Sequence, residues 1–312
     1  MLSELLFEAT ERDPLYVAST LRWVAESARD PRGRARAWHD LARLFQVGRG
    51  VARSASEALR CHRAAAALGH GGSAVALGTA LRLDDPEAAL GWLRRALSAE
   101  YGAKPDDLDR ARLQVGQIWY MRPDLVPDDE LEACLRAAAA PQAAVFLSLW
   151  LERRGRPDEA ERVLDEAAAR TDDPGVHAQR AVSVAPRRPE RLPELLRGPR
   201  APDARARFAT DLFARAADDS GLREPAVELL RALFEDPEPE ARGIAAAGLV
   251  VAHSVDRRNG RRPPRVSEDE ARAAYPVARA TGHSVGGAAE ELGLVSPPPP
   301  DGPAPGSTPR AR

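Results

Sequence analysis

The chain has 312 residues and a formal net charge of −2, so it carries no global basic field that would attract nucleic acid. Its two cysteines are too few for a disulfide framework. Alanine, leucine and arginine dominate and aromatic residues make up 5%, a composition that favours helices over strands.

The first convincing helix begins at Asp13-Pro14, because aspartate is a favoured N-cap and proline a favoured first helical residue. A break at 31–33 ends it. Residues 1–34 are therefore expected to form an N-terminal helical cap.

The next pair of helices has the clearest pattern. Apolar residues recur at helical spacing over 37–45, a glycine-rich break follows at 48–50, and a second helix is predicted over 54–68. Gly69 follows in the position of a C-cap glycine. Two helices joined by a short break form the repeating unit of the chain.

This helix–turn–helix unit recurs. Ala58-Leu59 in the first copy corresponds to Ala89-Leu90 in the next, a step of 31 residues. Several prolines keep the helices near 175–197 short. The further predicted pairs are 74–81 with 87–99, 107–120 with 128–139, 142–153 with 157–170, a degraded pair at 175–197, 203–218 with 224–234, and 240–255 with 267–280. A short helix at 287–292 and a disordered proline-rich tail at 296–312 complete the prediction.

Residues 57–70 resemble the second helix of a SEL-one-like repeat, and the segment from Ala37 through the 48–50 glycine loop resembles the first helix and loop of that repeat. Cys61-His62 replaces the usual aromatic pair. Residues 142–174 resemble the related tetratricopeptide repeat, and 223–255 also fit a HEAT repeat.

These resemblances imply an all-α fold, an α-solenoid of about seven stacked helical hairpins that form a right-handed superhelix. They place SEL-one-like and tetratricopeptide-like repeats over 35–174. They place degenerate helical repeats over 175–295, HEAT-like at 223–255.

No group of residues predicts catalysis. Cys61, His62 and His70 are close in sequence, but adjacent residues point about 100° apart on a helix, so helix packing is preferred to a metal site. The paired aspartates fall at turns, where they favour helix capping over carboxylate catalysis. No phosphate loop or serine elbow occurs. We therefore expect no catalytic residue, metal or cofactor.

Partner-binding candidates lie on the first helices of the pairs, whose faces line the concave groove of such arrays. Trp119 and Trp150 have an alternative interpretation as core residues, whereas Trp38 and Trp92 are expected in the core. The candidates are Arg36, His39, Asp40, Arg43, Arg112, Trp119 and Trp150. A basic loop is formed by Arg257, Arg258, Arg261, Arg262 and Arg265. It could bind phosphate or an acidic partner, and the alternative is a solvated loop without a partner.

The leading functional hypothesis is a non-catalytic scaffold or adaptor that binds a protein or peptide. A regulatory protein that senses a small ligand is the alternative, and a cryptic enzyme is the third reading. The N-terminus has no signal-peptide pattern, and no apolar run approaches the roughly 20 residues of a membrane helix. The sequence thus predicts a bacterial cytoplasmic protein with neither membrane nor nucleic acid as partner.

Overall fold

The structure is a computed structural model that describes residues 14–218 and 220–293. Throughout these residues the regular secondary structure is helical and no strand occurs. No helix in the described ranges is both long and apolar enough to cross a membrane. The predicted N-cap Asp13 and the proline-rich tail lie outside the described residues. The chain forms two compact units, Met1–Ala160 and Glu161–Arg312, which we call unit 1 and unit 2.

Unit 1 contains helical hairpins preceded by a single helix. The helices are α1 (Pro14–Ser27), α2 (Pro31–Val47), α3 (Ala55–Ala67), α4 (Gly71–Leu81), α5 (Pro86–Leu97), α6 (Pro105–Met121), α7 (Asp128–Ala137) and α8 (Pro141–Arg153), and α9 (Pro157–Arg170) crosses the boundary between the units. A 3-10 turn at Ala99–Tyr101 follows α5. Within the unit, α2 packs on α3, α4 on α5, and α6 on α7, while the first helices α4, α6 and α8 also contact one another in order.

Unit 2 continues the same pattern. Its helices are α10 (Pro174–Val184), α11 (Leu192–Leu195), α12 (Pro202–Arg215), α13 (Arg223–Phe234), α14 (Pro239–Arg258), α15 (Glu268–Ala280) and α16 (Ala288–Glu291). The first helices of the hairpins pack in chain order, α10 on α12 and α12 on α14. Within the two longer hairpins, α12 packs on α13 and α14 packs on α15. The predicted all-α solenoid of stacked helical hairpins is confirmed over the described residues. The handedness of its superhelix stays a prediction.

Helix starts follow the capping signals in the sequence. Asp30 accepts the N–H groups of Arg32 and Gly33 at the start of α2, and Asp85 accepts that of Ala88 in α5. Asp173 caps α10 in the same way. Each cap satisfies a backbone donor that has no acceptor inside its own helix. The capping interpretation of the paired aspartates is confirmed for Asp85 and Asp173.

Small residues let the helices of a hairpin approach closely. Gly78 of α4 is buried, and a Cβ added there would lie 2.6 Å from both Cγ and Cδ2 of Leu93 and 3.2 Å from the carbonyl oxygen of Ala89. Leu93 itself is 0% exposed, so its side chain cannot move aside into solvent. The contact between α4 and α5 therefore depends on the missing side chain at Gly78.

Replacing Gly78 with alanine is expected to destabilise unit 1 by about 1–2 kcal/mol, because overpacking outweighs the better helix propensity of alanine. Gly91 in α5 provides the matched control, since it is exposed and a Cβ there meets nothing within 4 Å. Gly91→Ala is expected to stabilise by roughly 0.5–1 kcal/mol. Urea unfolding measures both variants. Equal shifts of the same sign would contradict the close approach of α4 and α5.

Candidate functional site

A pocket of about 600 Å³ opens in unit 1 where α2, the turn between α3 and α4, and the start of α6 meet. We call it the α2–α4 pocket. Its walls come from three stretches of the chain, 32–36, 68–72 and 99–107, and each of them contributes polar side chains. The lining residues are Arg32, Ala35, Arg36, Leu68, Gly69, His70, Gly71, Gly72, Ala99, Glu100, Tyr101, Gly102, Ala103, Lys104 and Asp107.

The α2–α4 pocket is lined by more cations than carboxylates. Arg36 lies 3.6 Å from Asp40, and Asp107 on the opposite wall lies 3.6 Å from Arg110. Arg32 and Lys104 have no carboxylate within 4.0 Å in the described part of the chain. The pocket therefore offers positive charge that the protein itself only partly neutralises.

Three histidines meet behind the pocket around the buried hydroxyl of Ser73. His39 Nδ1 lies 2.9 Å and His62 Nδ1 3.2 Å from Ser73 Oγ. His70 caps α4 by accepting the Ser73 N–H at Nδ1, and its ring stacks on His39 with centroids 4.3 Å apart. We call His39, His62, His70 and Ser73 the histidine cluster.

The hydrogen bonds of the histidine cluster fix the position of each proton. Gln46 Nε2 is a donor and lies 3.2 Å from His62 Nε2, so that nitrogen accepts and the His62 proton is on Nδ1. His62 Nδ1 then donates to Ser73 Oγ, and the Ser73 hydroxyl donates to His39 Nδ1. This chain of donors and acceptors is complete with both imidazoles neutral.

The electrostatics agree with neutral rings. Burial first, and then the neighbouring His70, His62, Arg43 and Arg36, lower the pKa of His39 to about 3. Burial and His70 lower the pKa of His62 to about 4. The pKa of His70 is also lowered, chiefly by burial.

The contact between Ser73 and His39 has the spacing of a nucleophile and its base, but Ser73 is 0% exposed. Its hydroxyl therefore cannot meet a substrate in this conformation, and the contact serves packing. No cluster of metal ligands occurs among the described residues. What the site offers chemically is recognition of charge at the pocket.

The predicted partner-binding residues separate into two groups. Arg36 and Arg43 are exposed on α2, with His39 and Asp40 half-buried between them. Arg43 lies at a second concavity of about 510 Å³ at the C-terminal end of α2. Four predicted residues therefore share one helix and connect two concave regions.

The tryptophan prediction is wrong for the free protein. Trp119 is 3% and Trp150 4% exposed, so both belong to the core, which was the alternative interpretation. Trp150 Nε1 donates to Asp128 at 2.9 Å, and the Arg153 guanidinium lies 4.8 Å from the Trp119 ring centroid. Arg112 is half-buried and donates to the Ala137 carbonyl at the end of α7.

Trp38 and Trp92 also differ from expectation, because both are only half-buried. An arginine guanidinium lies over each ring, Arg60 at 6.0 Å from the Trp38 centroid and Arg95 at 4.7 Å from that of Trp92. The outer face of each indole is thus covered by a charged side chain rather than by the next helix.

The basic loop requires one correction. Arg265 is 5% exposed and pairs with Asp256, which is 0% exposed, so it is a structural residue and not part of a solvated basic surface. Arg261 lies 4.0 Å from Asp256 and Arg258 3.6 Å from Glu291. Arg257, Arg258, Arg261 and Arg262 are exposed as expected.

Sequence reasoning missed Arg32 and Lys104, which line the pocket, and Ser73, which lies buried behind it. The available signal was Gly-His-Gly-Gly-Ser at 69–73, in which a histidine precedes a helix that starts with two glycines. A histidine in that position can act as an N-cap, and the glycines leave room for other groups. Lys104 is distant from this segment along the sequence, so no comparable local pattern indicated that it lies at the same pocket.

Comparison with known proteins identifies the fold. A protective antigen present in uropathogenic Escherichia coli strains, described as displaying an SLR fold, superposes with a TM-score of 0.51 at 14% identity, covering 96% of this chain and 68% of that one. The chain has the fold of a Sel1-repeat protein. A Sel1 repeat protein from Oxalobacter formigenes gives a TM-score of 0.48 at 15% identity, with 77% of this chain and 94% of that one covered. No protein-family model and no curated protein matches the sequence.

Proposed function

We propose that this chain is a non-catalytic scaffold that binds a protein or peptide along the outward face of α2. Repeat solenoids bury each hairpin against its neighbours and leave extended surfaces for partners. The Sel1-repeat fold supports this class of function. The face itself is supported by the geometry of unit 1.

One observation carries the proposal: a single stripe of α2 joins two concave regions. Arg32 and Arg36 line the α2–α4 pocket, and Arg43 and Val47 line the concavity at the other end. At 100° per residue these four positions fall within about 60° of each other around the helix. His39 lies between Arg36 and Arg43 along the helix, at the edge of the same stripe.

The dimensions fit a short extended peptide. From Arg32 to Val47 the helix rises roughly 22 Å, at 1.5 Å per residue. An extended chain covers that distance with about seven residues. The arginines on the stripe favour a peptide with acidic side chains, because complementary charge gives specificity and faster association.

The size of the α2–α4 pocket favours a second candidate function. Its volume of about 600 Å³ is in the range of small-molecule sites, and charged groups line it. A regulatory protein that binds a small anionic effector would use the same pocket. The two candidates differ in whether the stripe beyond the pocket contributes to binding.

Reversing charge on the stripe is expected to abolish selection of acidic peptides. A displayed library of random heptapeptides is selected on the wild type, and the enriched peptides are measured by fluorescence anisotropy. Arg36→Glu/Arg43→Glu is expected to weaken their binding by about tenfold or more, since each reversal replaces attraction by repulsion.

Arg22→Glu/Arg63→Glu provides the matched control. Both arginines are exposed on α1 and α3, away from the stripe, and the change in net charge is identical. This control is expected to retain affinity. Equal losses in both double variants would show a nonspecific charge effect and contradict the proposed face.

A further inference from the structure

The α2–α4 pocket concentrates positive charge at one end of the stripe. Arg32, Arg36 and Lys104 line it, against the carboxylates of Glu100 and Asp107. Arg36 shares its charge with Asp40 at 3.6 Å, whereas Arg32 and Lys104 have no carboxylate within 4.0 Å in the described ranges. One unit of formal positive charge therefore remains in the pocket.

Two helix N-termini add to this field. The pocket contains the first residues of α4, an 11-residue helix, and Lys104, the N-cap of the 17-residue α6. Each N-terminus is equivalent to about half a positive charge. Asp106 and Asp107 in the first turn of α6 offset the contribution of that helix, so the net field in the pocket is positive and favours an anion.

Backbone donors are available at the same place. His70 caps only the N–H of Ser73, and the N–H groups of Gly71 and Gly72 have no acceptor in the described part of the chain. A side chain at position 71 could not fit, because its Cβ would lie 2.5 Å from the Cβ of Ala103. The glycine lets the two chain segments approach, and both glycines line the pocket although they are buried. The Asp107 carboxylate also lies at this helix start, since its Oδ2 would be 3.0 Å from a Cβ at Gly72.

We propose that the α2–α4 pocket binds a phosphate monoester. Near neutral pH such a group carries about −1.5 to −2 charges and three acceptor oxygens, which matches the charge and the donors better than the single charge of a carboxylate. Phosphates bind well at helix N-termini that present free N–H groups. Lys104 and the two arginines supply the charge-assisted contacts.

The pocket volume implies that more than the phosphate is held. At about 600 Å³ it has room for the group that carries the phosphate. Asp107 would then accept a hydrogen bond from an N–H or O–H of that group. A phosphorylated peptide and a phosphorylated small molecule share this chemistry. The proposal does not depend on the scaffold function, because either ligand satisfies it.

Isothermal titration calorimetry at fixed ionic strength tests the site. The probes are inorganic phosphate, a hexose monophosphate, a short peptide with one phosphoserine, its unphosphorylated parent and succinate. We expect binding of the phosphate compounds and weaker binding of succinate and the parent peptide. Lys104→Met and Arg32→Met are each expected to weaken phosphate binding by about tenfold.

Two further variants make the outcome specific. Arg63→Met removes an exposed arginine outside the pocket and is expected to leave the affinity unchanged. Asp107→Asn removes a negative charge from the wall and is expected to tighten phosphate binding several-fold. Folding of each variant is checked by its unfolding midpoint. No phosphate binding by the wild type, equal weakening in Arg63→Met, or tighter binding of succinate would overturn the proposal.

The ranking of the probes identifies the source of the phosphate. Preference for the phosphoserine peptide supports a phosphorylated protein partner and agrees with the scaffold function. Preference for the hexose monophosphate, with no peptide binding, supports the phosphate site and contradicts the scaffold function. The two proposals therefore fail on different results.

Discussion

Lowering the pH from 7 to 5 is expected to reduce the free energy of unfolding of unit 1 by about 3–4 kcal/mol. In the unfolded chain a histidine binds a proton near pH 6.5. In the folded chain, burial and neighbouring positive groups lower the pKa of His39 to about 3 and that of His62 to about 4. Between the folded and unfolded pKa values, the unfolded state binds more protons than the folded state. The stabilisation by these two histidines is therefore present above pH 6.5 and is lost as the pH falls.

The hydrogen bonds explain why the folded state resists protonation. His39 Nδ1 accepts the Ser73 hydroxyl proton, and His62 Nε2 accepts from the Gln46 amide. A proton added at His62 Nε2 would face the Gln46 amide donor, and a proton added at His39 Nδ1 would force the Ser73 hydroxyl to turn its own proton away. A proton on His39 would also be opposed by the nearby charges of Arg43 and Arg36.

Urea unfolding between pH 5 and 8, followed by tryptophan fluorescence, measures this effect in unit 1. All five tryptophans, Trp23, Trp38, Trp92, Trp119 and Trp150, lie in that unit. The control is His39→Gln/His62→Gln, in which amides can still bond Ser73 but do not titrate. Its pH dependence is expected to be much flatter. A slope equal to that of the wild type would contradict the role of the histidine cluster.

Much of the fold could be predicted because repeat arrays are governed by local signals. Asp85 caps α5 and Gly69 ends the preceding hairpin, as the sequence alone indicates. Alternating breaks and apolar stripes define each hairpin without any information from distant residues. The helix pattern of unit 2 also follows from its turns, although α11 is reduced to four residues.

The site was less predictable, because it depends on contacts between repeats. The phase of α2 correctly placed Arg36 and Arg43 on an exposed face, since a helix fixes the direction of its own side chains. Helix phase does not reveal what covers a face. The neighbouring hairpin buries Trp119, and a turn far along the chain brings Lys104 to the pocket.

The same limit applies to the basic loop of unit 2. A run of arginines indicates a solvated surface unless a buried acid lies within reach, and sequence spacing does not show burial. Arg265 donates from Nη1 to Asp256 Oδ1 at 2.6 Å and from its backbone N–H to Oδ2 at 2.8 Å. One arginine of the cluster thus holds the loop to the end of α14 while the others remain exposed.

Replacing Asp256 with asparagine is expected to destabilise unit 2 by about 3–5 kcal/mol, the cost of leaving a buried charge without its partner. Asp256 is 0% and the Arg265 side chain 5% exposed, so water cannot replace the lost carboxylate. The new amide N–H₂ would face either the guanidinium or the backbone N–H of Arg265. Asp218, 2.9 Å from Arg265 Nη2 but 52% exposed, compensates only in part.

Far-UV circular dichroism reports helix loss in both units, whereas tryptophan fluorescence reports unit 1 alone. Asp256→Asn is therefore expected to lower the urea midpoint of the dichroism transition while the fluorescence midpoint stays near that of the wild type.

Arg261→Met is the control, because Arg261 is exposed and 4.0 Å from the same carboxylate; its effect should be below about 1 kcal/mol. Adding Arg265→Met to Asp256→Asn removes the buried guanidinium that has lost its carboxylate partner. This double variant should therefore recover part of the lost free energy of unfolding. A double variant less stable than Asp256→Asn would show that the arginine stabilises the loop through Asp218 and Glu224 rather than through the buried pair.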